Sequence, residues 1–126
     1  MRPSLLTVRS RDLIRAEQFY GRLGVAFVRH SHGGPEHLSS ESDGMVFEIY
    51  PLTKDHLPTS STRLGFEVND LPSLLRELEA AGEQVVQEPR SSSWGLRAVV
   101  RDGDGHCVEL IQAERHEVQA PSLRQA

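Results

Sequence analysis

Apolar residues return along this chain with two spacings. In "SLLTVRS" (residues 4–10) they alternate with polar ones, as in a half-buried strand. Asp12 then stands where a helix cap belongs. In "DLIRAEQFYGRLG" the apolar positions are Leu13, Ala16, Phe19, Tyr20 and Leu23, which is helical spacing, and Gly24 is a stop signal. "VAFVRHS", the turn "HGGPE", "HLSSES", the turn "SDG" and "MVFEIYPL" read as a three-strand meander. "TKDHLPTSST" is polar, contains Pro58, and reads as a linker.

The pattern then restarts. "RLGFEVND" predicts a strand with an acidic cap. "LPSLLRELEAAG" puts Leu71, Leu74, Leu75, Leu78 and Ala81 on one helical face, with Pro72 in the first turn and Gly82 as the stop. "EQVVQEP", the loop "RSSSWG", "LRAVVRD", the turn "GDG" and "HCVELIQ" follow as strands and connections. Each half is thus strand, helix, strand, strand, strand, and the chain is an internal repeat. "RDL" at 11–13 aligns with "NDL" at 69–71, and "VFEIY" aligns with "CVELI".

The repeat sharpens one oddity. Glu48 and Glu109 each interrupt an apolar last strand, at equivalent places in the two copies. Strand alternation allows both to point at water. A carboxylate among buried apolar groups costs several kcal/mol unless it is paired or bound to a metal, so a shared cavity is the alternative.

Length and charge narrow the function classes. The 126 residues suit one domain with a real core, and the formal net charge of −4 gives no general pull toward nucleic acid or anionic membrane. The basic residues are scattered and, Lys54 apart, are arginines. Cys107 is the single cysteine, so no intrachain disulfide forms and no zinc site is built from thiols. No apolar run reaches the length of a membrane helix, and "MRPSLLTVRSRD" lacks a signal-peptide core; the expectation is a cytoplasmic protein.

The segments "VRSRDLIRAEQFYGRLG", "LGFEVNDL" and above all "VVRDGDGHCVELIQ" resemble the vicinal oxygen chelate superfamily, which includes glyoxalase I, bleomycin-resistance proteins, extradiol dioxygenases and fosfomycin-resistance enzymes. The resemblance implies an α+β fold: two βαβββ modules forming a cupped eight-stranded mixed sheet around a cavity. The domain would span residues 1–112, with module one at 4–52, a linker at 53–62, module two at 63–112 and a fraying tail at 113–126. It also implies a homodimer. Metal-dependent members place ligands on the first and last strand of each module. Carried over by position, these fall on Leu5, Glu48, Arg63 and Glu109. Leucine has no donor, and arginine stays protonated and repels a cation. Two carboxylates beside a fixed positive charge are a poor divalent site, so no cofactor is expected, and Arg63 is expected to pair with a glutamate instead.

Alternation assigns cavity neighbours. Glu109 brings Cys107; Glu48 brings Tyr50; Leu5 brings Thr7 and Arg9. His37 lies on a strand beside Glu48 and is the candidate third ligand or base, should Glu48, Glu109 and His37 hold a metal. His30 and His32 fit no zinc spacing, His106 after its Asp-Gly turn is expected to be exposed, and His116 is in the tail. Trp94 either stacks on a planar ligand from a mobile loop, with Arg97 meeting an anionic group, or plugs the core. The resulting expectation is a metal-free small-molecule-binding protein of bleomycin-resistance type. A divalent-metal lyase or dioxygenase with a non-standard site and a non-catalytic scaffold with a filled cavity remain as alternatives.

Overall fold

The computed structural model describes residues 1–31 and 33–114. Residues 115–126 of the expected tail at 113–126, with His116, and also His32 lie outside the described residues. Module one consists of β1 (Leu5–Ser10), α1 (Leu13–Leu23), β2 (Val28–His30), β3 (His37–Ser42) and β4 (Met45–Pro51). Module two repeats the order with β5 (Arg63–Glu67), α2 (Leu71–Ala80), β6 (Gln84–Ser92), β7 (Gly95–Arg101) and β8 (Cys107–Gln112). The fold is α+β, with two βαβββ modules.

The eight strands hydrogen-bond as two four-stranded mixed sheets, β1-β4-β3-β2 and β5-β8-β7-β6. First and last strands of each module pair in parallel, with Thr7 beside Glu48 and Gly65 beside Glu109. The helix caps act as the sequence predicts. The Asp12 side chain accepts from the Arg15 N–H at 3.0 Å, and that of Asp70 from the Ser73 N–H at 3.1 Å. Gly24 ends α1 with φ 107°, a left-handed value that costs a glycine little. The β3–β4 hairpin turns on Asp43 and Gly44, with φ 52° and 80°; two positive φ values suit the right-handed twist of the strands.

One apolar core serves both modules. It joins Val8, Phe19, Tyr20, Leu38 and Ile49 to Leu64, Leu71, Leu78, Val108 and Leu110. The Phe47 and Phe66 rings, one from each sheet, meet at 5.8 Å, and both lie near Tyr20. Each sheet therefore turns one face to the core and keeps one open face. Glu48 and Glu109 lie on the open faces, flanked along their strands by buried Phe47, Ile49, Val108 and Leu110.

Two local readings need correction. "RSSS" is not a loop: β6 runs to Ser92, and its polar end pairs with Leu96 and Gly95 of β7. Hydrogen bonding to a neighbouring strand overrides weak local propensity. Pro89 is tolerated because β6 is an edge strand and its pairing is irregular between Gln87 and Arg90. Trp94 consequently sits in a two-residue hairpin turn rather than on a mobile loop.

Candidate functional site: two open sheet faces

The open face of the first sheet carries Leu5, Thr7 and Arg9 from β1, His37 from β3, and Glu48 and Tyr50 from β4. The His37 ring stacks on Tyr50, with centroids 4.1 Å apart and planes 7° from parallel. His37 Nε2 lies 3.9 Å from Glu48 Oε2, and the Thr7 hydroxyl donates to Glu48 Oε1 at 3.2 Å. The Arg9 guanidinium stands over Tyr50 at 5.6 Å and donates to the Pro51 carbonyl at 3.0 Å. His30 lies 5.7 Å from His37, ring to ring. His37 is buried, whereas Leu5 is 57% exposed.

The open face of the second sheet is built around Glu109. Arg97 of β7 donates from Nε to Glu109 Oε2, and Arg63 Nε lies 3.6 Å from Oε1. Arg63 also reaches Cys107 Sγ at 3.5 Å. The hydrogen bond from Arg97, assisted by the charges of Arg97 and Arg63, holds the Glu109 carboxyl below its ordinary pKa despite some desolvation. The same bond raises the Arg97 pKa. Val99, beside Glu109, is buried yet stands outside the shared core.

Several site expectations change. Glu109 pairs with Arg63 as expected, but its closer partner is Arg97, which the sequence reading had aimed at a ligand anion. Glu48 takes its contacts within the first sheet and Glu109 within the second. Among the described residues, Glu48, Glu109 and His37 do not come together as a three-ligand group. The reason is the division into two sheets that share their core faces. Trp94 is 76% exposed, so it does not plug the core.

His106 is also corrected. It is 1% exposed, at the centre of a network absent from the sequence reading. Its Nδ1 lies 2.8 Å from Asp102 Oδ2, and its Nε2 lies 2.7 Å from the Thr59 hydroxyl. Tyr20 donates to the same Asp102 oxygen at 2.5 Å, while the backbone N–H groups of Asp104 and His106 donate to Asp102 Oδ1, each at 2.9 Å. Thr59 in turn accepts from the Arg9 N–H at 3.0 Å. Burial opposes ionisation of Asp102, but hydrogen bonds from His106 and Tyr20 outweigh it and lower the pKa. Burial, then the Asp102 charge, pushes the Tyr20 phenol up.

Asp102, Asp104 and His106 place one metal-ligand atom each within 4.8 Å of one another. Much of the capacity of Asp102 and His106 is already used. Both Asp102 oxygens accept two bonds, both His106 ring nitrogens have partners, and Asp104 Oδ1 accepts from the Arg11 N–H at 2.8 Å. The cluster fits a structural staple between α1, the interdomain-like linker and the β7–β8 turn better than a metal centre. The only sequence signal for it was the pair of aspartates in "DGDGH" before an apolar strand.

Among the described residues, no helix is long and apolar enough to cross a membrane. The family model described as the Glyoxalase/Bleomycin resistance protein/Dioxygenase superfamily matches residues 2–110. No curated protein matches the sequence. Among solved structures, the hypothetical protein SA1046 from S. aureus superposes with a TM-score of 0.71 at 21% identity, covering 90% of this chain and 94% of that one. TnmS3, described as an antibiotic binding protein from Streptomyces sp. CB03234, gives 0.70 at 21% identity, covering 90% and 97%. A glyoxalase-related enzyme from Fulvimarina pelagi gives 0.68 at 28% identity, covering 87% and 86%. The chain therefore belongs to the glyoxalase/bleomycin resistance protein/dioxygenase superfamily.

Proposed function

We propose that the protein is a metal-free small-molecule-binding protein of the bleomycin-resistance-like type, acting as a homodimer. The observation that carries this is Glu109 held between Arg97 and Arg63. At a position where metal-dependent members are expected to offer a ligand, this chain surrounds the carboxylate with two permanent cations. They each engage one of its oxygens, and their fixed charge opposes a divalent ion. Leu5, at another such position, has no donor atom. The likeness of fold to TnmS3 supports a binding role by analogy only.

The ligand this surface favours is planar or amphipathic. On the first open face Leu5 offers apolar contact and the His37–Tyr50 pair a flat stacked edge; on the second, half-exposed Arg63 offers a charge for an anionic substituent. Trp94 adds an exposed indole at the β6–β7 turn. The homodimer reading is supported by what one chain leaves open. Both glutamate-bearing faces face away from the core, and β1 and β5 are sheet edges that a second copy would cover.

Two measurements test the proposal. Plasma emission spectrometry on protein purified without chelator should find no stoichiometric metal; zinc, nickel, iron or manganese in stoichiometric amount, lost in Glu109→Gln, overturns the metal-free assignment. Aromatic antibiotics and metabolites should quench the Trp94 fluorescence saturably, with calorimetric confirmation. Failure of every compound overturns the binding role, and hemithioacetal turnover with added zinc or nickel would favour the enzyme reading.

A further inference from the structure

The two open faces differ in charge. Strand register lays the second one out in rows. Arg63 and Arg101 flank Cys107 in one row, Glu109 and Val99 hold the middle, and Arg97 and Arg90 stand side by side in the third. Four arginines thus share this face with two glutamates, Glu67 and Glu109, on a chain whose formal net charge is −4. The first face carries a single arginine, Arg9, against Glu41 and Glu48. In the middle row Glu109 is reached from both sides, by Arg63 and by Arg97. Each of these two has another arginine beyond it. Arg101 donates to the Gly105 carbonyl at 3.3 Å, and Arg90 is exposed. Among the described residues, neither Arg101 nor Arg90 has a carboxylate partner. Arg90 and Arg97 lie directly opposite each other on β6 and β7. Such a juxtaposition of like charges costs a sheet stability, and an anion between them relieves it.

We propose that the open face of module two binds a planar aromatic anion with two acidic groups, and that Glu109 holds the place of one of those groups in the free protein. This rests on reading the open faces as the ligand surface, and it names the class of ligand that one of them takes. A guanidinium presents its donors as a fork that matches a carboxylate. Arg63 and Arg97 already converge on one carboxylate, that of Glu109, so a ligand carboxylate competes with it for the same donors. A second acidic group finds Arg90 or Arg101 beyond. Between the rows the floor is apolar, made of buried Val99 and half-buried Ile111, and the exposed Trp94 indole stands at the turn past Arg97. A flat body gains by covering that floor. A neutral ligand gains that contact alone, and a cation meets four arginines. A second copy of the chain presenting its first face is a poorer complement. Its Glu48 is held by Thr7 and lies beside His37, which leaves Glu41 to meet the arginines.

The test is a titration of the isotope-labelled full chain, followed by calorimetry and backbone amide shifts. The probes are naphthalene-2,6-dicarboxylate, 2-naphthoate and 2-naphthylmethanol, which share a body and differ in charge. The dicarboxylate should shift the amides of Val99, Glu109 and Ile111 saturably. The monocarboxylate should bind more weakly by roughly two- to five-fold, the yield of one half-exposed ion pair, and the alcohol more weakly again by a similar factor. Salt at about 0.5 M should bring the three together. Arg90→Gln, at an exposed position, should weaken the dicarboxylate by roughly two- to five-fold and leave the alcohol unchanged. Glu109→Gln should strengthen both anions and leave the alcohol unchanged, a gain that a merely structural glutamate would not give. Equal binding of the three probes, or anions no tighter in Glu109→Gln, overturns the proposal and leaves the ligand surface standing. No saturable shift from any probe overturns both. Shifts of the same amides on raising the protein concentration alone, with the probes excluded, assign the face to a second copy of the chain and overturn the proposal.

Discussion

Asp102 and Glu109 are both carboxylates held below their ordinary pKa, yet they do different work. Asp102 is 7% exposed and takes four hydrogen bonds from Tyr20, His106 and the turn backbone. Glu109 has a side chain 30% exposed and faces two arginines on an open sheet face. In the first case the charge is out of water, and losing a partner leaves an unsatisfied group in a low-dielectric place. In the second, water replaces any lost partner, so the pairing sets the charge of a surface rather than the stability of the fold. A depressed carboxylate pKa therefore marks a staple or a site surface, and exposure tells which.

The sharpest way to break this contrast is Asp102→Asn. It removes the charge and half the acceptor capacity at a buried position, with expected loss of about 2–4 kcal/mol in denaturant titration. The same variant carries a pH signature. The folded pKa of Asp102 lies below the ordinary value, so the folded chain binds fewer protons than the unfolded one between the two values. Its stabilisation is complete above about pH 4 and is lost as pH falls through the depressed pKa. Asp102→Asn should flatten this acid limb of the stability curve. An unchanged limb would mean that Asp102 is not the buried charge described.

How the two carboxylates could be read from sequence also differs. The repeat, the helix caps and the strand alternation placed Glu109 on a face away from the core, because those signals are local and periodic. The Asp102 network joins Tyr20 to a residue 82 positions later and His106 to Thr59 across 47. No periodicity encodes such contacts, and a histidine after an Asp-Gly turn looks exposed until the linker is seen to cover it. The hydrophobic pattern likewise identified most of the buried residues, Ala81 at the end of α2 being exposed instead, but not that both sheets bury them in one core and leave Glu48 and Glu109 on separate open faces. Trp94 was misplaced for a simpler reason: serines near a tryptophan resemble a loop, whereas their backbone groups pair with β7.

A smaller effect should follow from Tyr20→Phe. The ring stays in the core against Phe19 and Phe47, so packing is kept. Only the hydroxyl bond to Asp102 is lost, for about 1–3 kcal/mol, with the remaining donors still in place. Thermal unfolding of the single variants and of Tyr20→Phe combined with Asp102→Asn should show strong non-additivity, since both remove one interaction. Additive losses would show that the phenol and the carboxylate stabilise the fold independently.

Arg63→Leu should have the smallest effect, and it bears directly on the contrast. From sequence, Arg63 as the sole partner of a buried glutamate implied a loss of about 3–5 kcal/mol on its removal. The geometry points the other way. Arg63 has a side chain 50% exposed, lies 3.6 Å from Glu109, and shares it with the closer Arg97. Removing it leaves Glu109 paired and wet, so the loss should stay under about 1 kcal/mol in denaturant titration. The charge of the open face should change far more than the stability, and anionic aromatic ligands should weaken in calorimetry while neutral ones hold. A loss of several kcal/mol would mean that a second copy of the chain buries this face in solution. The contrast between Asp102 and Glu109 would then hold for the single chain and vanish in the dimer.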